Sequence, residues 1–516
     1  MKRVTTTVLT ALALLAPAGI ADAGTRDPGV AVTEAGPVRG TVTSGSTTYQ
    51  GIPYAAPPVG PLRWQPPRPA ARWTGLRDAT RPAPRCAQPQ NIGPASDSED
   101  CLYLNVTAPK TPGRKPVMVW LHGGGNVYGA GSDYDARRLA EAGDVVVVTV
   151  NYRLGVFGFL GLPRLDGAGT FGLQDQQAAL RWVRRNAVAF GGNPGSVTLF
   201  GQSAGSYDVC AQLTSPAARG LFQRAIMESG SCSMTWPRNG VNPGIPAGSP
   251  WQSQESADAQ GVALAASLGC AGPSQVDCLR ALPVDRLLAA TQSAALPAVA
   301  YGNRVLPWRP DRALAEGRFA RIPVLSGSNL DEQRLATAFL PQAFTEDGYR
   351  QLLADAFGAD APAVAAKYPA GAYESSAVAW ATVATDRVWS CAQDTDRRVL
   401  ARYAPVYGYE FADRAAPPQF PFPAGLPSGA YHGAEMVYLF DLNGTPAPLD
   451  AGQRALADRM IRSWTTFART GNPGPEWPRT AAQSLAPGKP ATVDVAAEHN
   501  CSFWVTIGNG PVAHGD

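Results

Sequence analysis

Histidine is scarce in this 516-residue chain, with four copies. Neither these nor the eight cysteines fall in the tight Cys-x-x-Cys or His-x-x-x-His spacings of a zinc site, so no metal and no cofactor are expected. Charge is sparse too. Charged residues make up 16% of the chain, 44 basic against 41 acidic, and no block of one sign occurs. A net charge of +3 without a basic arm argues against nucleic acid as a partner. Beyond residue 20 no apolar run approaches the roughly 20 residues that a membrane-spanning helix needs. Disorder is excluded by the 45% hydrophobic content. At a loose rate of about 150 residues per domain, length alone suggests about three domains. No low-complexity linker or internal repeat divides the chain, however.

The one apolar run lies at the start. Lys2 and Arg3 precede the mostly apolar stretch Val8 to Ile20, and Ala21-Asp22-Ala23 has the small-x-small form of a cleavage site. Residues 1–23 are therefore read as a secretory signal peptide, leaving 24–516 as the mature, secreted chain without a membrane anchor. An oxidising destination turns an even number of cysteines into expected disulfides. Spacing suggests Cys86 with Cys101 and Cys270 with Cys278, but it cannot pair Cys210, Cys232, Cys391 and Cys501.

From Pro53 to Pro69 the chain is rich in proline, yet Tyr54, Leu62 and Trp64 give it apolar anchors, so a packed irregular segment is expected. Short β-branched runs follow: 116–121, 145–150, 197–200, 225–227 and 322–325 read as buried strands. Between the second and third, Leu173, Leu180, Val183 and Ala187 recur along one face of a helix from Gly172 to near Phe190. Strands alternating with helices predict an α/β fold with a mostly parallel sheet covered on both sides. The stretches 231–250 and 294–310 read as long loop excursions above it.

Gly201-Gln202-Ser203-Ala204-Gly205 directly follows the strand run VTLF and precedes a helical pattern. That is the strand–turn–helix context of a G-x-S-x-G nucleophile elbow, whose sharp turn excludes a Cβ at either glycine and exposes the serine hydroxyl. The N–H of Ala204, at a helix N-terminus, is a natural oxyanion donor. A second signal is independent of the first: His122-Gly123-Gly124-Gly125 ends the strand VMVWL and can aim consecutive backbone N–H groups into a cleft. In such a loop the histidine precedes the donors and transfers no proton.

Together these features resemble the type-B carboxylesterase family, the cholinesterase-like branch of the α/β-hydrolase fold. The resemblance covers nearly all of the mature chain as one domain, through GIPYAAPPVGPLRW from Gly51, EDCLYLNV from Glu99, WLHGGG from Trp120, VNYRLGVFGFL from Val150, GLQDQQAALRWV from Gly172, FGGNPGSVTLFGQSAGS from Phe190, SGSNLDEQ from Ser326 and YHGAEMVYLF from Tyr431. It implies Ser203 as nucleophile, Glu332 rather than its neighbour Asp331 as the acid, and His432 as the base. Gly124, Gly125 and Ala204 become the oxyanion donors, and Arg63 with Glu99 and Arg153 with Asp175 become buried ion pairs. His499 and His514 match no motif and are read as surface histidines. The family pattern supports Cys86–Cys101 and Cys270–Cys278 and adds Cys391–Cys501, leaving Cys210 and Cys232 open.

With the N-terminal pattern, the resemblance leads to a secreted serine esterase that hydrolyses small to medium lipophilic carboxylic esters through an acyl-enzyme; the oligomeric state is left open, with a monomer as the simplest default. A lipase-like enzyme for long acyl chains or a specialised natural-product esterase is the alternative. A non-catalytic cholinesterase-like binding protein is disfavoured because all three triad positions are filled. Some positions depart from the family. Gln202 stands where cholinesterases carry an acid, and the loop from Cys86 to Cys101 has no Trp to hold a quaternary ammonium, which disfavours acetylcholine. Gln333 replaces the usual glycine after the acid, and Asn193 the usual aspartate before Pro194.

Overall fold

The computed structural model describes residues 27, 29–91, 93–291 and 297–507. The expected signal peptide and His514 lie outside the described residues. Eleven strands form one sheet: β1 (Thr41–Val42), β2 (Ser46–Pro53), β3 (Tyr103–Pro109), β4 (Lys115–Leu121), β5 (Val146–Val150), β6 (Gly192–Gln202), β7 (Arg224–Glu228), β8 (Val324–Asn329), β9 (Val406–Phe411), β10 (Ala482–Leu485) and β11 (Ala491–Val493). Their spatial order is β11-β10-β9-β8-β7-β6-β4-β5-β3-β2-β1. The run from β10 to β5 is parallel throughout. At one end β3, β2 and β1 pair antiparallel, and at the other β11 does so.

Strands are present at all five expected places, although the last runs from Val324 to Asn329 rather than over 322–325. In β4 the alternation of a strand splits the side chains between two cores. Val117, Val119 and Leu121 join the cluster on one face with Leu173, Leu180 and Val183 of helix α1 (Phe171–Asn186). Met118 and Trp120 point the other way, onto the long α5 described below. The predicted apolar face of α1 is thus the buried one, while Arg184 and Arg185 of its last turn face solvent, suited to the negative end of the helix dipole. The stretch 187–190 continues as a 3₁₀ turn.

Helix α2 (Ala204–Thr214) leaves the C-terminal end of β6. Later come α3 (Ser376–Ala384), a π turn (Thr385–Ser390), α4 (Cys391–Leu400) and α5 (Ala451–Thr470), which is capped by Asp450 and Gln453 and packs Leu456, Met460, Trp464 and Phe467 on the second core. The proline-rich segment packs as expected. Trp64 is wholly buried and its Nε1–H donates to Val156 O at 2.9 Å. The stretch 231–250 and the described part of 294–310 form loops above the sheet, tied by a short parallel pair between Trp251–Ser253 and Val299–Tyr301.

The three expected disulfides form, and Cys210 of α2 is bridged to Cys232 as a fourth. Both ion pairs are present as well. Arg153 binds Asp175 through two contacts of 2.7 Å with both side chains buried, and Arg63 Nε donates to Glu99 at 2.7 Å. The expectation for His499 is overturned: it is 2% exposed, between Asp386 and Glu410.

Candidate active site

At the end of β6 the backbone turns into α2 through Ser203, which has φ 57° and ψ −121°. This is strained geometry for a residue with a Cβ, held by the N–H of Ser203 donating to Glu228 O at 2.9 Å on the adjacent strand. The flanking glycines are sterically required. A Cβ on Gly205 would lie 2.0 Å from Leu121 O, and one on Gly201 would lie 2.6 Å from the Gly205 backbone. Ala204 opens α2, where an N–H has no intrahelical partner. Across the cleft, Gly124 and Gly125 have φ of 108° and 63°, and a Cβ on Gly124 would meet Tyr128 O at 2.0 Å. The three expected donors and the serine therefore line one cavity or stand directly beside it.

His432 enters from the loop after β9. Its Nδ1 lies 2.6 Å from Glu332 Oε2, and its backbone N–H donates to Glu332 O. Glu332 is wholly buried, with Oε1 accepting from Asn329 N at 2.7 Å. The carboxylate therefore fixes the tautomer with the proton on Nδ1, which leaves the Nε2 lone pair to accept, here from the Gln202 amide at 3.2 Å. Asp331 cannot compete for this role, because Arg414, Arg334 and the Ala430 N–H hold its carboxylate elsewhere. Burial opposes charging of His432, but the charge and hydrogen bond of Glu332, with Glu435 further off, outweigh it and hold its pKa above the ordinary imidazole value. Burial and the charge of Glu332 in turn raise Glu435 to about 7.

His122 is buried beneath the glycine loop, stacked on Tyr152 with Nδ1 2.8 Å from Gly123 O. Burial lowers its pKa to about 4, so it stays neutral and supports the loop. Two contacts to His432 escape sequence reasoning. Gln202 Nε2 lies 3.2 Å from His432 Nε2, and the Trp389 ring packs 4.4 Å from the imidazole, centre to centre. Gln202 has a local signal, its place beside the nucleophile. Trp389 has none.

The cavity around Ser203 and His432 has a volume of ≈ 240 Å³. It shares Tyr128, Asn242, Leu335, Phe420 and Leu442 with a much larger cleft of ≈ 1290 Å³. No Asp, Glu, Lys, Arg or His is found among the described residues lining that cleft.

With this geometry in view, comparison with known proteins is decisive. The model of the carboxylesterase family matches residues 27–504. The chain belongs to that family. It is 36% identical over 481 residues to a para-nitrobenzyl esterase of Bacillus subtilis, covering 87% of this chain and 92% of that protein. To a cocaine esterase of Oryctolagus cuniculus it is 35% identical over 494 residues, covering 86% and 89%. A solved thermophilic pNB esterase superposes with a TM-score of 0.77 at 33% identity, covering 92% of this chain and all of that one. The fold is that of the α/β-hydrolases, and the family consists of serine hydrolases that cleave carboxylic esters. Among the described residues no helix is long and apolar enough to cross a membrane.

Proposed function

We propose that this carboxylesterase is an exported, monomeric serine esterase that cleaves lipophilic carboxylic esters through an acyl-enzyme, with residues 24–516 as its single mature domain. Ser203 Oγ attacks the ester carbonyl while His432 Nε2 takes its proton and then delivers it to the leaving alcohol. Water repeats the sequence to release the acid. Glu332 orients His432 and stabilises the imidazolium, and the N–H groups of Gly124, Gly125 and Ala204 receive the negative charge of both tetrahedral intermediates. The observation that carries this reading is His432 bound through Nδ1 to a buried carboxylate, in one cavity with a strained serine at a helix N-terminus.

The substrate class rests on the uncharged lining of the large cleft, which gives no counter-ion to a charged ester. Relatives named for para-nitrobenzyl and cocaine esters support acceptance of bulky aromatic groups. A volume of ≈ 1290 Å³ favours substrates at the larger end of that class. Export is supported by the N-terminal pattern of residues 1–23 and by four disulfides, which persist in oxidising compartments.

The test is hydrolysis of p-nitrophenyl esters from acetyl to palmitoyl by the native enzyme and by Ser203→Ala. Loss of hydrolysis in the variant with an unchanged circular-dichroism spectrum is expected, and retained activity refutes the assignment of Ser203. A native optimum at long chains with activation at an oil interface replaces the esterase reading with a lipase.

A further inference from the structure

The π turn Thr385–Ser390 interrupts what would otherwise be one helix formed by α3 and α4. Such turns insert a residue and re-aim a side chain, and they concentrate at functional sites. Here the re-aimed side chain is Trp389. Its ring lies over His432 with centroids 4.4 Å apart and planes inclined at 42°. On its far edge Nε1–H donates to Gln333 Oε1 at 2.9 Å. Gln333 is buried, follows the acid Glu332 directly, and donates its own backbone N–H to Thr385 Oγ1 at 3.0 Å, at the start of the same π turn. The side chain that replaces the glycine expected after the acid thus forms a clasp between the Glu332 loop and the ring covering His432.

We propose that Trp389, clasped by Gln333, is a positioning residue for His432. It holds the imidazole plane toward Ser203 and stabilises the imidazolium that exists only while a tetrahedral intermediate is forming or collapsing. The proposal rests on the reading of His432 as the base. When the Ser203 Oγ–H proton moves to Nε2 and the new C–O bond forms, the ring becomes cationic. An indole face within about 6 Å attracts a cation. Since this attraction is absent while the ring is neutral, as in the active form above the acid limb, it acts on the transition state and raises kcat.

Other groups cannot supply the same effect from that side. The carboxylates acting on His432 are Glu332 and Glu435, and the elbow contributes the neutral amide of Gln202. On the π turn, Asp386 is bound to His499 and Tyr368, and Arg387 reaches Thr235. Asp331 is held by Arg334 and Arg414.

The experiment measures kcat and KM for p-nitrophenyl butyrate from about pH 5 to 9, the range that brackets imidazole titration. The proteins are the native enzyme, Trp389→Leu, Trp389→Phe and Gln333→Met. Expected for Trp389→Leu is a kcat lower by about tenfold at nearly unchanged KM, and an acid limb of kcat/KM moved to lower pH by about half a unit or more, because the imidazolium has lost its aromatic neighbour. Trp389→Phe keeps the limb within a few tenths of a unit of native, and Gln333→Met lowers kcat less than Trp389→Leu does. An unmoved limb in Trp389→Leu, or a rise in KM alone, overturns the proposal and makes Trp389 a wall of the substrate cavity. If Trp389→Leu does not fold, the Phe and Met variants decide, since native kcat in Gln333→Met also overturns the clasp. Activity surviving in His432→Gln refutes the base assignment instead, which is a different result.

Discussion

Two histidines of this esterase each face buried carboxylates, and they differ in how many. His432 has one carboxylate, Glu332, on Nδ1, and leaves Nε2 toward the cavity, where Gln202 is its neighbour. His499 has a carboxylate on each nitrogen, Asp386 Oδ1 at 2.7 Å and Glu410 Oε1 at 2.6 Å, and its side chain is 3% exposed. Burial disfavours its charge, but hydrogen bonds to both carboxylates prevail and raise its pKa to about 10. With both N–H groups donated, the ring is a cation at neutral pH that ties the C-terminal helices Val495–Glu498 and Cys501–Thr506 to β9 and to the π turn. The lesson lies in the partners: in its proposed role as base, His432 has a carboxylate on one nitrogen and only a neutral amide on the other, whereas a strut commits both nitrogens to carboxylates.

Replacing each histidine by glutamine should separate the two. His432→Gln should lower kcat by about 10⁶-fold with little change in melting temperature, by analogy with the loss of a triad base elsewhere. Glu332→Gln, which permits the wrong tautomer, should cost about 10⁴-fold in kcat. His499→Gln should instead destabilise by about 3–5 kcal/mol, measured by urea unfolding at pH 6, because it strands two buried carboxylates, while kcat of the folded fraction stays within a few-fold of native. Comparable activity losses in both histidine variants would erase the distinction.

The smallest effect sharpens the comparison through pH. The folded pKa of His499 lies above the unfolded imidazole value near about 6.5, so its stabilisation is complete below that value and fades as pH rises toward about 10. The gap in melting temperature between native protein and His499→Gln should therefore narrow from pH 6 to pH 10. A constant gap would mean that His499 acts by packing rather than by charge. At His432 the same upward direction means that kcat/KM should fall on acidification with a limb above the ordinary imidazole value.

Legibility in the sequence followed the range of the interactions. The buried parallel strands were readable because VMVWL and VVVVTV need no partner to declare themselves, and the elbow because its two glycines answer to a local turn. Strand β9, VYGYEF, was not, since Gly408 and Glu410 interrupt its apolar run and the Glu410 side chain is there to meet His499. His499 itself was misread for the same reason: its partners lie 113 and 89 residues away in sequence. Spacing could not choose Cys232 for Cys210, because the pairing depends on how the loop after β7 returns across α2. The π turn leaves no trace in composition, so Trp389 could not be assigned to the site before the fold was known.

The Cys391–Cys501 bridge, between cysteines 110 positions apart in sequence, closes a covalent ring that contains β9, His432 and α5. Within that ring, the stretch from Arg414 to Pro427 is the exposed crossing between β9 and His432. A protease that cuts there severs the peptide path from Glu332 to His432, yet both fragments stay joined through the sulfurs and through the ion pairs of His499. Such a nicked enzyme should migrate as one species without reductant and as two with it, and the first of these should still turn over ester.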